Sequence, residues 1–157
     1  MRFIKFCFLL FFIFSFSLAE EVSIGVVLGE PTGLSFKIQK DKNFVFDSGL
    51  EFNTKDNYLY FNFDFLKYDY TKITSKEITG KFPIFYGLGI KFENTKKETE
   101  IGLRFVGGIE YIFADIPLNI FIKISPTLNL IPSTSIEIAP SLGVRYILKW
   151  AKLKNIF

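Results

Sequence analysis

The sequence predicts an all-β fold in which eight antiparallel strands run up and down and close into a barrel. Three observations carry this. Apolar and polar residues alternate with a period of two through nearly all of the chain beyond its hydrophobic N-terminus. Clusters of Gly, Pro, Asn, Asp, Ser and Thr interrupt that alternation at short intervals. No stretch of helix length with a 3.6-residue period appears before the C-terminal tail.

The chain opens with "MRFIKFCFLLFFIFSFSLAEE". Arg2 and Lys5 form a positive head, Phe6 to Phe16 an almost unbroken apolar run, and Ser17-Leu18-Ala19 a small-residue cleavage site. This is the three-part pattern of a secretory signal. The run is short for a membrane anchor, since a spanning helix needs ~20 apolar residues. Cys7 lies inside the apolar run rather than at the cut, so a lipid anchor is not expected. The expected organisation is a signal peptide over 1–19, a barrel over 20–148 and a basic, aromatic tail over 149–157. Cleavage after Ala19 leaves 138 of the 157 residues, enough for one domain. Removing Arg2 and Lys5 lowers the basic count from 19 to 17 against 16 acidic residues, a net charge near +1. That balance argues against nucleic acid as a partner. Beyond the signal there is no Cys, so no disulfide staples the exported protein.

The strands follow in order. "EVSIGVVL" is the first, and "GEPTG" (Gly29 to Gly33) reads as the tip of the first hairpin, with Pro31 presetting the bend and Gly33 closing the turn. "GLSFKIQK" sets Leu34, Phe36 and Ile38 against Ser35, Lys37 and Gln39. "NFVFDSGLEF" sets Phe44, Phe46, Leu50 and Phe52 against Val45, Asp47, Gly49 and Glu51. "NYLYFNFDFLK" sets Leu59, Phe61, Phe63 and Phe65 against Tyr58, Tyr60, Asn62 and Asp64. "PIFYGLGIKF" sets Ile84, Tyr86, Leu88, Ile90 and Phe92 against Phe85, Gly87, Gly89 and Lys91. "TEIGLRFVGGIEY" sets Ile101, Leu103 and Phe105 against Gly102 and Arg104, and Gly107-Gly108 reads as a bulge or tight bend. "LNIFIKIS" sets Leu118, Ile120, Ile122 and Ile124 against Asn119, Phe121, Lys123 and Ser125. "SIEIAPSLGVRYIL" sets Ile136, Ile138, Leu142, Val144 and Tyr146 against Glu137, Ala139, Ser141, Gly143 and Arg145. The breaks are "GEPT", "KDKN", "NTKDN", "DYTKITSKEITGK", "ENTKKE", "FADIP" and "LIPST". The longest, Asp69 to Lys81, reads as a polar loop. Closure of an even set of strands removes the unpaired edges.

Volume decides which face is wet. An eight-stranded barrel is just wide enough for side chains to fill, or to hold one small ligand. The apolar set, mostly Phe, Leu and Ile, would overcrowd such a lumen, whereas the Gly, Ser, Asn, Tyr and charged set fits it. The expected fold class is therefore an eight-stranded antiparallel up-and-down transmembrane β-barrel with its apolar face toward lipid. The inner face then carries an ion-pair network of Asp47, Glu51, Asp64, Lys91, Arg104, Lys123, Glu137 and Arg145. Lys37 shares that face, and so does Glu110 if the phase holds past Gly108. Near-equal signs imply pairing, because a lone buried charge is costly. The alternative is a soluble periplasmic, lipocalin-like barrel with these charges outside and an apolar ligand within.

"GVVLGEPTGLSFK", "FPIFYGLGIKF", "IGLRFVGGIEYIF", "PLNIFIKISPTLNLIP" and "LGVRYIL" together resemble a family of small bacterial outer-membrane barrels with an OmpA-like eight-stranded transmembrane domain. The resemblance covers nearly the whole chain after the signal. It implies that Asp64 corresponds to a buried strand-four Asp and Arg104 to a strand-six Arg. It also implies an outer-membrane location, contact with outer-membrane lipid and delivery by the barrel assembly machinery; it names no surface ligand. Lys123 stands where the family more often has an acid, so the lumen pairing is expected to be rewired. Val106-Gly107 replaces a more usual Pro-containing stretch. The tail "KWAKLKNIF" extends past the family's usual end. Trp150, Leu153 and Phe157 are spaced for a short interfacial helix, with a frayed basic tail as the simpler reading.

Some barrels of this size are lipid A deacylases with a Ser-His-acid arrangement. This chain has no His, which removes the usual base for a Ser nucleophile and the commonest zinc or copper ligand. "GVVLGEPTG" lacks the Gly-Lys-Ser/Thr of a phosphate loop. Asp47, Glu51 and Asp64 read as partners of lumen cations rather than as a glycosidic carboxylate pair. Tyr58, Tyr60 and Tyr68 read as lumen fillers or girdle residues. No enzyme activity, cofactor or metal is expected.

Overall fold

The computed structural model describes residues 21–29, 32–53, 58–73 and 79–148. The signal segment 1–19, the tip residues Glu30 and Pro31, most of the "NTKDN" turn, the centre of the long polar loop and the tail 149–157 lie outside the described residues.

Eight strands form one closed barrel in sequence order. They are β1 (Glu21–Gly29), β2 (Thr32–Gln39), β3 (Phe44–Asn53), β4 (Tyr58–Asp69), β5 (Ile84–Asn94), β6 (Thr99–Ile112), β7 (Leu118–Ile131) and β8 (Ser135–Ile147). Every pairing is antiparallel, and closure comes from β1 against β8, in register from Ser23↔Ile147 to Gly29↔Ser141. Both ends of the barrel chain thus lie at the same mouth. The all-β, eight-stranded antiparallel fold read from the alternation is the fold observed.

Short turns pin the register. Asp41 accepts hydrogen bonds from the backbone N–H of Asn43 (2.8 Å) and Phe44 (3.0 Å) between β2 and β3, an Asx-type turn. Thr95 Oγ1 accepts from the N–H of Lys97 and Glu98 between β5 and β6. Asp69 accepts from Thr71 at the start of the long loop, and Tyr70 folds back against the barrel end to bond Gln39.

The alternation sorts the two faces as the pattern implies. Phe61 is 41% exposed and its neighbour Asn62 is fully buried. Phe36 and Ile122 are also on the outside, while Asp64 and Arg104 are buried within. Phe44, Phe46, Phe63 and Phe65 stack on one another across β3 and β4 on the outer surface, as cross-strand aromatic pairs do.

Three local expectations are corrected. Gly107-Gly108 is not a bulge: both residues pair in register with β5 and β7, and the register shift lies between Ile101 and Gly102. Gly108 is there for room, because a Cβ would run into the Phe85 ring and the Ile122 carbonyl. Gly33 does not close a turn but sits in β2, paired with Val27 and Glu51. β7 continues through Pro126 to Ile131 rather than stopping near Ser125. Pro126 lacks an N–H, and the β6–β7 ladder has no pairs between Arg104↔Thr127 and Gly107↔Ile124, where the missing donor would fall.

Candidate functional site: a charged lumen

Period two brings one polar face from all eight strands into a single interior. The phase survives Gly108, so Glu110 is buried inside with the rest. Asp47, from the middle of β3, meets two cations: Arg145 of β8, which donates through Nη2, and Lys123 of β7 at 3.5 Å. Arg145 also lies 3.7 Å from Glu110, donates to Ser35 and lies over the Phe121 ring at 3.7 Å, a cation–π arrangement. Lys37 bridges Glu21 and Glu110, each at 3.1 Å.

Asp64 pairs with Arg104 at 3.1 Å and accepts from the Asn62 amide. Arg104 donates to the Tyr60 hydroxyl and to Ser125. The Asp64 carboxyl passes directly over Gly89, where any Cβ would collide with it. Lys91 sits near the mouth opposite the chain ends and contacts Glu93 (2.8 Å), Glu100 (3.1 Å) and Glu137 (2.7 Å).

The eight residues singled out from sequence therefore all face the interior, but not as one web. Asp47, Lys123 and Arg145 join one cluster, Asp64 and Arg104 a second, and Lys91 and Glu137 a third. Glu51 is buried yet makes no hydrogen bond or ion pair with the described residues; it lines a small cavity with Tyr60, Arg104 and Glu137. Sequence reading missed Glu21, Glu93 and Glu100. Glu93 and Glu100 each lie one step further along a phase already marked, from Lys91 and Gly102, so extending the alternation to those strand ends would have found them; Glu21 lies on β1, whose two faces the alternation was not used to assign.

Apolar side chains share the interior. Val27, Val45, Leu66, Tyr68, Phe85, Val106 and Phe121 form a buried cluster, with Tyr68 and Phe85 stacked at 5.1 Å. Tyr60 and Tyr68 are lumen residues; the Tyr58 side chain lies outside the described residues. Outside the strands, partial burial and the neighbouring Lys42 hold the Lys81 ammonium below the usual lysine range.

A closed eight-stranded antiparallel barrel with apolar residues outward and ions inward is the OmpA-like barrel architecture. The N-terminal β-barrel domain of Pseudomonas aeruginosa OprF shares it, with a TM-score of 0.56 over 83% of this chain and 98% of that domain, at 12% identity. At that identity the likeness establishes the fold alone. No protein-family model and no curated protein matches the sequence.

Proposed function

We propose that the chain is an integral outer-membrane β-barrel with a structural or surface-interaction role, a lumen sealed by side chains and no catalysis. One observation carries this: the polarity of the barrel is inverted relative to a soluble protein. The outer face bears Phe, Leu, Ile and Val on every strand. Among the described strand residues its charges are Lys67 and Asp69, both at the end of β4 beside the long loop. An exposed apolar surface of this extent needs a non-aqueous neighbour, and Arg or Lys at the bilayer midplane of such a face costs ~2–4 kcal/mol. Strands of 8 to 14 residues suit a tilted crossing, which takes about 9–11.

The buried Tyr68, Phe85 and Phe121 and the ion clusters support a sealed lumen, as eight strands leave room for little besides side chains. Outer-membrane lipid and the barrel assembly machinery are the partners this reading requires. With both barrel ends on the periplasmic side, the long loop is periplasmic and the outward turns are short, which favours a structural role over adhesion. The soluble-carrier alternative requires an apolar cavity, and the lumen offers ions in its place. The test is phase partitioning of the expressed chain together with unheated and heated gel migration. Recovery with detergent and a heat-dependent shift are expected; recovery in the aqueous phase with no shift would replace this reading with the carrier.

A further inference from the structure

The charges of the barrel divide unevenly between its two mouths. Inside, Glu21, Asp47, Asp64 and Glu110 are balanced by Lys37, Arg104, Lys123 and Arg145, each in an ion pair within that set. Around the mouth that holds the chain ends, the described residues set Lys40, Lys42, Lys67, Lys72 and Lys81 against Asp41, Asp69 and Asp115. Around the opposite mouth they set Lys91, Lys96 and Lys97 against Glu51, Glu93, Glu98, Glu100 and Glu137. One rim is therefore positive and the other negative. The tail adds to the first: residues 149–157 follow β8 at the chain-end mouth and bring Lys149, Lys152 and Lys154 with no acid.

The lysines of the positive rim point outward. Lys40, Lys42, Lys67 and Lys72 are exposed, and none makes a contact ion pair with a described residue. Asp41 and Asp69, the acids interleaved with them, hold turn N–H groups and the Thr71 hydroxyl. Lys67 stands on the outer wall itself, in register between Phe44 and Tyr86, which are 40% and 52% exposed. Lys42 lies beside Lys81. A second aromatic group marks the same level. Phe82 stacks on Tyr111 at 4.5 Å, and Tyr111 meets Phe113 edge-on at 4.6 Å, where β6 ends at the chain-end mouth. Aromatic rings gather where the hydrocarbon of a bilayer gives way to its headgroups. Lysines at that level lay their stems along the apolar wall and lift their ammonium groups to the phosphate plane.

We propose that the chain-end rim docks anionic phospholipid headgroups through Lys42, Lys67 and Lys72, and so selects anionic over zwitterionic lipid in the leaflet beside it. The match is one of charge and of depth: the positive rim coincides with the aromatic level, and the apolar wall that faces acyl chains begins at Phe44 and Tyr86, next to Lys67. Attraction between a lysine and an anionic surface fades within a Debye length, so the selection acts on headgroups packed against the rim. The negative mouth at the other end disfavours the same lipid. The inference rests on the membrane-spanning reading and goes beyond it, since crossing a bilayer demands no preference among headgroups.

Fluorescence quenching by brominated lipid provides the test. Trp150 is the one tryptophan of the sequence, so W150F gives a silent background for a single reporter. Y86W places it beside Lys67; F92W places it on the outer wall toward the negative mouth, where Phe92 is 41% exposed. The full chain is folded into vesicles of phosphatidylcholine and phosphatidylglycerol with one lipid or the other brominated, and the two quenching curves give the relative affinity at each position. The reporter at 86 should prefer phosphatidylglycerol by about twofold or more. That preference should fall toward one when K42Q, K67Q and K72Q are combined, and in high salt. The reporter at 92 should show no preference for phosphatidylglycerol. Equal quenching by the two lipids at 86 overturns the proposal and leaves the membrane reading standing. So does a preference that the three substitutions leave unmoved, or one that appears equally at 92. Quenching by neither lipid at both positions overturns the membrane reading itself, and the proposal with it.

Discussion

Asp47 meets Arg145 and Lys123 at once, and nothing else in the described lumen neutralises Lys123 at contact distance. Removing one partner of a buried pair leaves an uncompensated charge and costs about 3–5 kcal/mol. D47N is therefore expected to lower unfolding stability by roughly that amount, measured by urea titration of the folded barrel in detergent or lipid. Replacing Asp64 and Arg104 together by Asn and Met should cost less than R104M alone, because the double change leaves no orphan charge. Gly89 is the steric complement of that pair: a G89V side chain would occupy the position of the Asp64 carboxyl, so the variant should lose most of the stability that the pair confers. The eight charges named from sequence were legible from alternation, and Glu110 on the condition that the phase held past Gly108; Glu21, Glu93 and Glu100, at the strand ends, were not read. The division of the charges into clusters was not legible, because which cation reaches which acid depends on strand stagger around the barrel, a three-dimensional quantity with no counterpart in one strand's pattern.

At the scale of the element, the strands were legible because most of their large apolar residues fall on one phase, with inward exceptions such as Val45, Leu66, Phe85 and Phe121. Where reading failed, Gly was taken as punctuation. Pro126 sits inside β7 where the ladder to β6 lapses, and Gly108 clears space for Phe85 rather than bending the strand. In a barrel lined by large side chains, glycine more often makes room than makes turns. The outer phase also yields a sharp expectation. Phe63, mid-strand on β4 and outward, should tolerate Leu with little change. F63R should cost roughly 2–4 kcal/mol in a bilayer, the price of an arginine near the midplane, measured by unfolding from vesicles. The β2–β3 turn is a separate unit: D41A removes two hydrogen bonds to backbone N–H and should cost about 0.5–1.5 kcal/mol per net bond lost, with the barrel otherwise intact.

For the whole molecule, inward ions and outward phenyl rings support the proposal of a lumen sealed by side chains. Vesicles reconstituted with the chain should show no swelling in small neutral solutes, and F85A combined with F121A should open the interior to them, as both rings belong to the buried apolar cluster. Swelling with the unsubstituted protein would contradict a sealed lumen. The inversion of polarity itself is tested most directly by placing a spin label on each of two adjacent β4 residues, F61C and N62C, in lipid vesicles. The label at 61 should collide freely with lipid-dissolved oxygen and scarcely with a water-soluble nickel complex, while the label at 62 should be shielded from both. A label at 61 that meets the nickel complex and not oxygen would show that the phenylalanine face looks onto water, and the membrane account would be wrong.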